Sequence, residues 1–224
     1  MTSNSRSEDP RIISFQTLRK SVGWLGMSLA PSMLLGNIIF GCTSIQDSIS
    51  HYYYTVTGDL FTGILCAVAL FLFCYKGYDY RDRTSALAAG FFAVLIALFP
   101  TNSDSADSCA VFSLPLSGLR NVIHYGSAAI FFGVLAWMSL FLFTRSRGRK
   151  TKEKKVRNKI YLVCGVIILA CIVLIAIYNF IITDEAWDRH KPVFWLEWIA
   201  LIAFGTSWLV KGELVLKDGA LSNR

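Results

Sequence analysis

Apolar residues in this chain come in long, nearly unbroken stretches instead of the one-face periodicity of a soluble helix or strand. Six such stretches, at about 22–42, 58–75, 84–99, 122–143, 160–182 and 192–210, approach the ~20 residues that cross a bilayer as a helix. The fifth carries no charged residue at all. The first contains Pro31 and Gly36, which predicts a kink. The third is the shortest and is closed by Pro100. The pattern predicts an all-α fold, a polytopic six-helix transmembrane bundle. Its expected divisions are an N-terminal segment over 1–20, the transmembrane domain over 21–211 and a C-terminal tail over 212–224.

Charge gives the bundle a direction. Arg145–Lys159 holds nine Lys or Arg and one Glu between two apolar stretches. A short loop of that kind stays on the cytoplasmic side, because basic residues beside a span resist translocation. Six spans would place 19 of the 22 basic residues on that same side, leaving Arg120, Arg189 and Lys191 across the membrane. Both termini are therefore expected in the cytoplasm, with the protein in a cytoplasmic-type inner membrane. Aromatic residues at span ends, Tyr52 to Tyr54, Tyr75, Trp187 and Trp195, fit interfacial belts.

The N-terminal twenty residues are mostly polar, unlike a signal peptide. Ile12, Ile13, Phe15 and Leu18 fit either an amphipathic turn at the membrane surface or a loosely ordered tail.

Composition agrees with this reading. The 224 residues are 54% apolar and 17% charged, against about 25% charged in a soluble domain. One bundle accounts for the whole length, with no room for a separate soluble domain. The net charge of +7 lies in membrane-flanking loops, so the expected partner is the lipid bilayer and not nucleic acid.

Candidate chemistry gathers on the side away from the basic loop. All three histidines, His51, His124 and His190, fall there, with eight of the fifteen acids. If the second helix starts early, His51, Thr55, Asp59 and Thr62 form one polar stripe at i, i+4, i+8 and i+11. The alternative is that Asp59 simply stabilises a helix start. Arg120 and His124 are i, i+4 neighbours at the start of the fourth span, with Ser127 near their face. Glu197 lies five residues into the sixth span, roughly 7 Å past its start. There a carboxylate needs a partner, and Arg120 is the best-placed base from another span.

His51, Asp59 and His124 would make three ligands for a zinc-like ion. Glu197 would then be the base or fourth ligand, and Arg120 would complete the catalytic set. The competing reading is a structural Arg120–Glu197 ion pair with interfacial caps. The chain has no HExxH, no HxxxH and no CxxC. Of its six cysteines, Cys42 and Cys109 fall at or beyond the outer surface, where a disulfide would persist. Cys66, Cys74, Cys164 and Cys171 fall in spans as packing residues.

Ser48, His51 and Asp59, within this order of spans, resemble the first part of the motif of the CREST superfamily of membrane hydrolases, which includes the alkaline ceramidases. The later HxxxH pair of that superfamily has no counterpart here. The order of features also resembles uncharacterised bacterial six-helix membrane proteins. The hydrolase resemblance implies a zinc-dependent enzyme acting on a lipid or amphiphile that enters from the outer leaflet. Two other classes remain open on the same residues. One is a non-enzymatic protein that binds or transports a small ligand in an outward-facing polar pocket. The other is a structural assembly partner, whose polar groups only bond helices together.

Overall fold

The computed structural model describes residues 15–77, 79–103, 109–145, 151–181 and 189–216. Ile12 and Ile13 of the N-terminal turn, Asp104, Asp107, Asp184, Glu185, Trp187, Asp188 and part of the basic loop lie outside the described residues. Among those described, all regular structure is helical.

The described residues hold six α-helices, in order α1 (Phe15–Ile39), α2 (Gly58–Cys74), α3 (Tyr80–Leu98), α4 (Gly118–Trp137), α5 (Lys152–Ile181) and α6 (Pro192–Lys211). A 3₁₀ helix, Ile49–Tyr54, precedes α2, and a π turn, Met138–Leu142, prolongs α4. Four helices are long and apolar enough to cross a membrane: α1, α4 with its π turn, α5 and α6. Helix α2 is apolar but has 17 residues, and α3 carries Arg81, Asp82 and Arg83 in its first turn. Large apolar side chains point outward from these helices, among them Leu35, Leu70, Phe91, Ile130 and Val166. A surface of that kind suits lipid and not water.

Each helix packs against its neighbours in sequence, and α6 returns to pack against α1, closing the set. The α1–α6 crossing is close because both partners are glycine there. A Cβ on Gly23 would lie 2.9 Å from the Gly205 carbonyl oxygen, and one on Gly205 would lie 2.6 Å from that of Gly23. Small residues let apolar helices pack backbone to backbone where no water drives them together.

Successive connections fall at alternate ends of the bundle. At the basic end lie the starts of α1, α3 and α5 and the ends of α2, α4 and α6. There Tyr75, Phe143, Tyr161 and Trp208 are fully buried. The Trp208 ring sits 5.0 Å from Tyr75 and 5.4 Å from Phe143. The π turn is fastened to α5 by the buried Ser139 hydroxyl, which donates to the Tyr161 carbonyl at 2.8 Å. Opposite, at the polar end, long segments cross the helix ends.

Pro31 sits inside a continuous α1. The stripe expected through His51, Thr55, Asp59 and Thr62 does not form, because two different helices meet between its members. The 3₁₀ helix stops at Thr55, whose backbone is extended (φ −94°, ψ 177°). Helix α2 begins only at Gly58. A side chain at Gly58 would run into the Tyr53 carbonyl, so glycine permits the tight join. The helical phase is lost across it, and Asp59 ends exposed in the first turn of α2.

Candidate functional site

The polar end is organised by four consecutive residues, Ser48 to His51. They leave α1 on a segment pinned by a disulfide between Cys42 and Cys109, whose Cα atoms are 5.9 Å apart. Ser48 caps the 3₁₀ helix, its hydroxyl accepting from the His51 N–H at 3.3 Å. Each of the four residues then finds a different polar partner. Ser48 Oγ lies 2.7 Å from His51 Nδ1. The Ile49 N–H donates to Glu197 Oε2 of α6 at 2.6 Å, and the Ser50 N–H faces the same carboxylate. Ser50 Oγ lies 3.0 Å from Nε2 of the buried His124 on α4. His51 Nε2 reaches the Asn102 carbonyl at 3.1 Å.

Carbonyl oxygens only accept, so they fix both imidazole tautomers. His51 carries its proton on Nε2, which donates to Asn102. His124 carries its proton on Nδ1, which donates to the Phe99 carbonyl at 2.8 Å. The second nitrogen of each neutral ring is then an acceptor, and the Ser48 and Ser50 hydroxyls donate to them. A serine hydroxyl donating to an imidazole whose other nitrogen is held by a third group is the arrangement of an activated nucleophile. The structure contains two such pairs, side by side.

Arg120 does not reach Glu197. Its Nε donates to the Pro100 carbonyl at 3.1 Å, and its Nη2 donates to Asn102 Oδ1 and to the Pro115 carbonyl, both at 2.9 Å. The chain leaving α3 presents unpaired carbonyls beside the start of α4, and the guanidinium fork takes those closest to it. Asn121, the next residue, accepts through Oδ1 from the Thr101 hydroxyl and the Asn102 N–H, each at 3.0 Å. Glu197 takes backbone N–H groups instead, capping the 3₁₀ helix from another element. Tyr54 donates its hydroxyl to the Thr101 carbonyl. Burial pushes this phenol above its usual pKa, against the opposing pull of the Arg120 guanidinium.

Of the residues singled out for a metal site, His51 and His124 thus flank one short segment with Glu197, while Asp59 stands apart on the surface of α2. Among the described residues, no group of three or more His, Cys, Asp and Glu is gathered as ligands. His190 is exposed beyond the start of α6. Asp47 and Lys191 form an ion pair, and the Asp47 carbonyl accepts from the Phe194 N–H at 3.1 Å.

No protein-family model, curated protein or solved structure matches this chain.

Two groups of residues escaped the sequence reading. Ser50 and Asn102 are neutral and ordinary in loops, and nothing in their spacing marked them, whereas Asn121 stands beside Arg120 and His124 at the start of the fourth span. The second group lies at the basic end, where Arg19, Asp82, Glu153, Arg157 and Lys211 are all buried. Arg19 Nη1 donates to the Lys211 carbonyl at 3.3 Å, and its guanidinium lies 4.3 Å over the Phe15 ring. Arg157 Nη1 donates to the Leu216 carbonyl at 2.8 Å. The Lys211 ammonium lies 5.1 Å over Phe143. Hydropathy treats such residues as loop markers, and nothing in their spacing reveals that they turn inward together.

Proposed function

We propose that this is a six-span protein of a cytoplasmic membrane, with both termini inside and a rigid polar cap outside, and that it acts as a non-enzymatic assembly partner. The positive-inside distribution supports the orientation. One observation carries the functional reading. His51, His124 and Glu197, from the 3₁₀ segment, α4 and α6, each satisfy a different residue of Ser48–His51. Their bonding capacity goes to holding the extended segments against the helix ends, which presents a preformed surface to a neighbouring membrane protein.

The test combines topology with stability. Cysteine probes placed at Ser105 or Ala186 should be labelled from outside intact cells, and probes within Arg145–Lys159 should not. His124→Ala and Glu197→Ala should lower thermal stability in detergent. A terminus labelled from outside would overturn the six-span arrangement. Unchanged stability in both variants would remove the structural role of the cap.

A second reading rests on the Ser48–His51 contact at 2.7 Å, in which His51 is positioned to take a proton from Ser48. On that reading the protein is a hydrolase of a lipid or amphiphile. A zinc-dependent form of it would use His51, His124 and Asp59. Labelling of Ser48 by a fluorophosphonate, or stoichiometric zinc lost in His51→Ala, would favour it over the assembly role. Absence of both would leave the assembly reading.

A further inference from the structure

Helices α5 and α6 leave a groove of about 480 Å³ open on their outer side, within the roughly 300–1,000 Å³ of small-molecule clefts. Its walls are Lys159, Val163 and Ile167 of α5 and Ile199, Ile202 and Thr206 of α6, among other apolar side chains. The two helices run in opposite directions, so Lys159 and Thr206 stand at the basic end and Ile167 and Ile199 at mid-helix. The eight residues from Lys159 to Ile167 rise about 12 Å, close to the ~15 Å half-thickness of a hydrocarbon core.

Above the groove the same stripe of α5 turns cationic. Lys152, Lys155 and Lys159 are exposed at i, i+3 and i+7, and therefore share a face. Glu153, the one acid of the stretch Arg145–Lys159, is buried and faces away. A ladder of three ammonium groups thus leads into an apolar channel one leaflet deep.

We propose that this groove is a binding site for an anionic phospholipid of the leaflet at the basic end. One acyl chain lies along Val163 and Ile167, and the headgroup phosphate sits against Lys159, with Lys155 and Lys152 beyond it. Charge complementarity selects the occupant. A zwitterionic lipid could fill the channel but would gain little from three neighbouring cations, whereas an anionic headgroup gains about fivefold in affinity per nearby basic residue. The inference requires only that α5 and α6 face lipid, and it does not depend on the role of the polar end.

The experiment uses the full chain in detergent, equilibrated with equal amounts of phosphatidylglycerol and phosphatidylcholine, with retained lipid counted by native mass spectrometry. The wild type should keep one phosphatidylglycerol in preference to phosphatidylcholine. Lys159→Gln should cut that preference about fivefold, and Val163→Trp, which fills the channel, should abolish retention. Lys159 and Val163 are both exposed, so neither change threatens the fold. Val173→Trp, on an exposed position of α5 outside the groove, should bind as the wild type does. Loss in Lys159→Gln with normal retention in Val163→Trp would mean surface attraction alone, and would overturn the groove site. Loss only in Val163→Trp would mean a chain held without headgroup selection, and would overturn the anionic specificity. No loss in either, or an equal loss in Val173→Trp, would overturn the proposal as a whole.

Discussion

The two ends of the bundle solve the same problem with different chemistry. At the polar end, segments over 40–57, 99–103 and 109–117 bring many backbone N–H and C=O groups over the helix ends. Neutral side chains match them in detail, with histidine donating to carbonyls, serine donating to imidazoles and asparagine accepting through Oδ1 from N–H and hydroxyl groups. Among the described residues, Arg120, Glu197 and the Asp47–Lys191 pair bring charge to this end. At the basic end the connection between α2 and α3 is short. There the helices meet through their own ends, with buried Arg19, Asp82, Glu153, Arg157 and Lys211 among aromatic rings. In this chain the crossings of the polar end go with hydrogen-bond matching, and the basic end brings charged helix ends into contact.

This contrast can be broken in several ways, beginning with the largest effect. Trp208 lies at the centre of the aromatic set, so Trp208→Ala should cost about 3–5 kcal/mol. Hydrogen exchange should rise first over the start of α5, with Ser48–Thr55 following later. Simultaneous loosening of both ends would mean that they are not separate units.

The disulfide gives the converse case. It closes a sequence separation of 67 residues, and replacing both Cys42 and Cys109 by serine should cost about 2–4 kcal/mol. Exchange should then rise in the polar end while the basic end stays protected. An unchanged melting temperature would show that the hydrogen bonds alone hold the segment.

Glu197→Ala leaves the Ile49 and Ser50 N–H groups without their acceptor and should cost about 1–3 kcal/mol. In a double-mutant cycle, Ser50→Ala and His124→Ala should couple by at least about 0.5 kcal/mol. Exposed Asp59→Ala should change stability by no more than about 0.5 kcal/mol and add independently to His124→Ala. Coupling between Asp59 and His124 would restore the three-ligand site.

The smallest effect is a titration at the basic end. Asp79 caps α3 through its bond from the Asp82 N–H at 3.1 Å, and it also accepts from Arg145 at 2.7 Å. The N–H bond first, and then the guanidinium, hold its carboxyl below the usual value. Because the folded pKa is the lower one, the contribution is complete above the ordinary value near 3.9 and disappears as pH falls through the depressed one. Asp79→Asn keeps the cap and removes the titration, so melting temperature should fall less steeply for the variant than for the wild type below about pH 4. Parallel acid limbs would exclude a contribution from Asp79.

Hydropathy made the helices legible because lipid-facing segments announce themselves by composition. It marks the apolar layer and not the helix ends. Helix α5 begins at Lys152, ahead of the apolar stretch from about 160, because lysines can continue a helix beyond the apolar layer. The importance of His51, His124 and Glu197 was readable from their position at span ends. For Asp59 the two readings differed in where the second helix starts, and its place in the first turn of α2 matches the helix-start reading and not the stripe. Arg120 was paired with the wrong group because single-sequence reasoning compares side-chain charges and overlooks backbone carbonyls. The buried charges of the basic end could not be read at all, since their burial depends on which helices meet.

The return of α6 to α1 also sets a schedule for biosynthesis. Arg19 and Lys211, which meet through a hydrogen bond, are 192 residues apart in the chain. At roughly 5–20 residues per second, about 10–40 s separate their synthesis. Through that interval the glycine face of α1 has no α6 to pack against, whatever the intervening helices have already done. A ribosome that stops after α5 therefore releases an open bundle with its Gly23 seam facing lipid. A chain halted there differs physically, at the Gly23 seam, from one that has made α6.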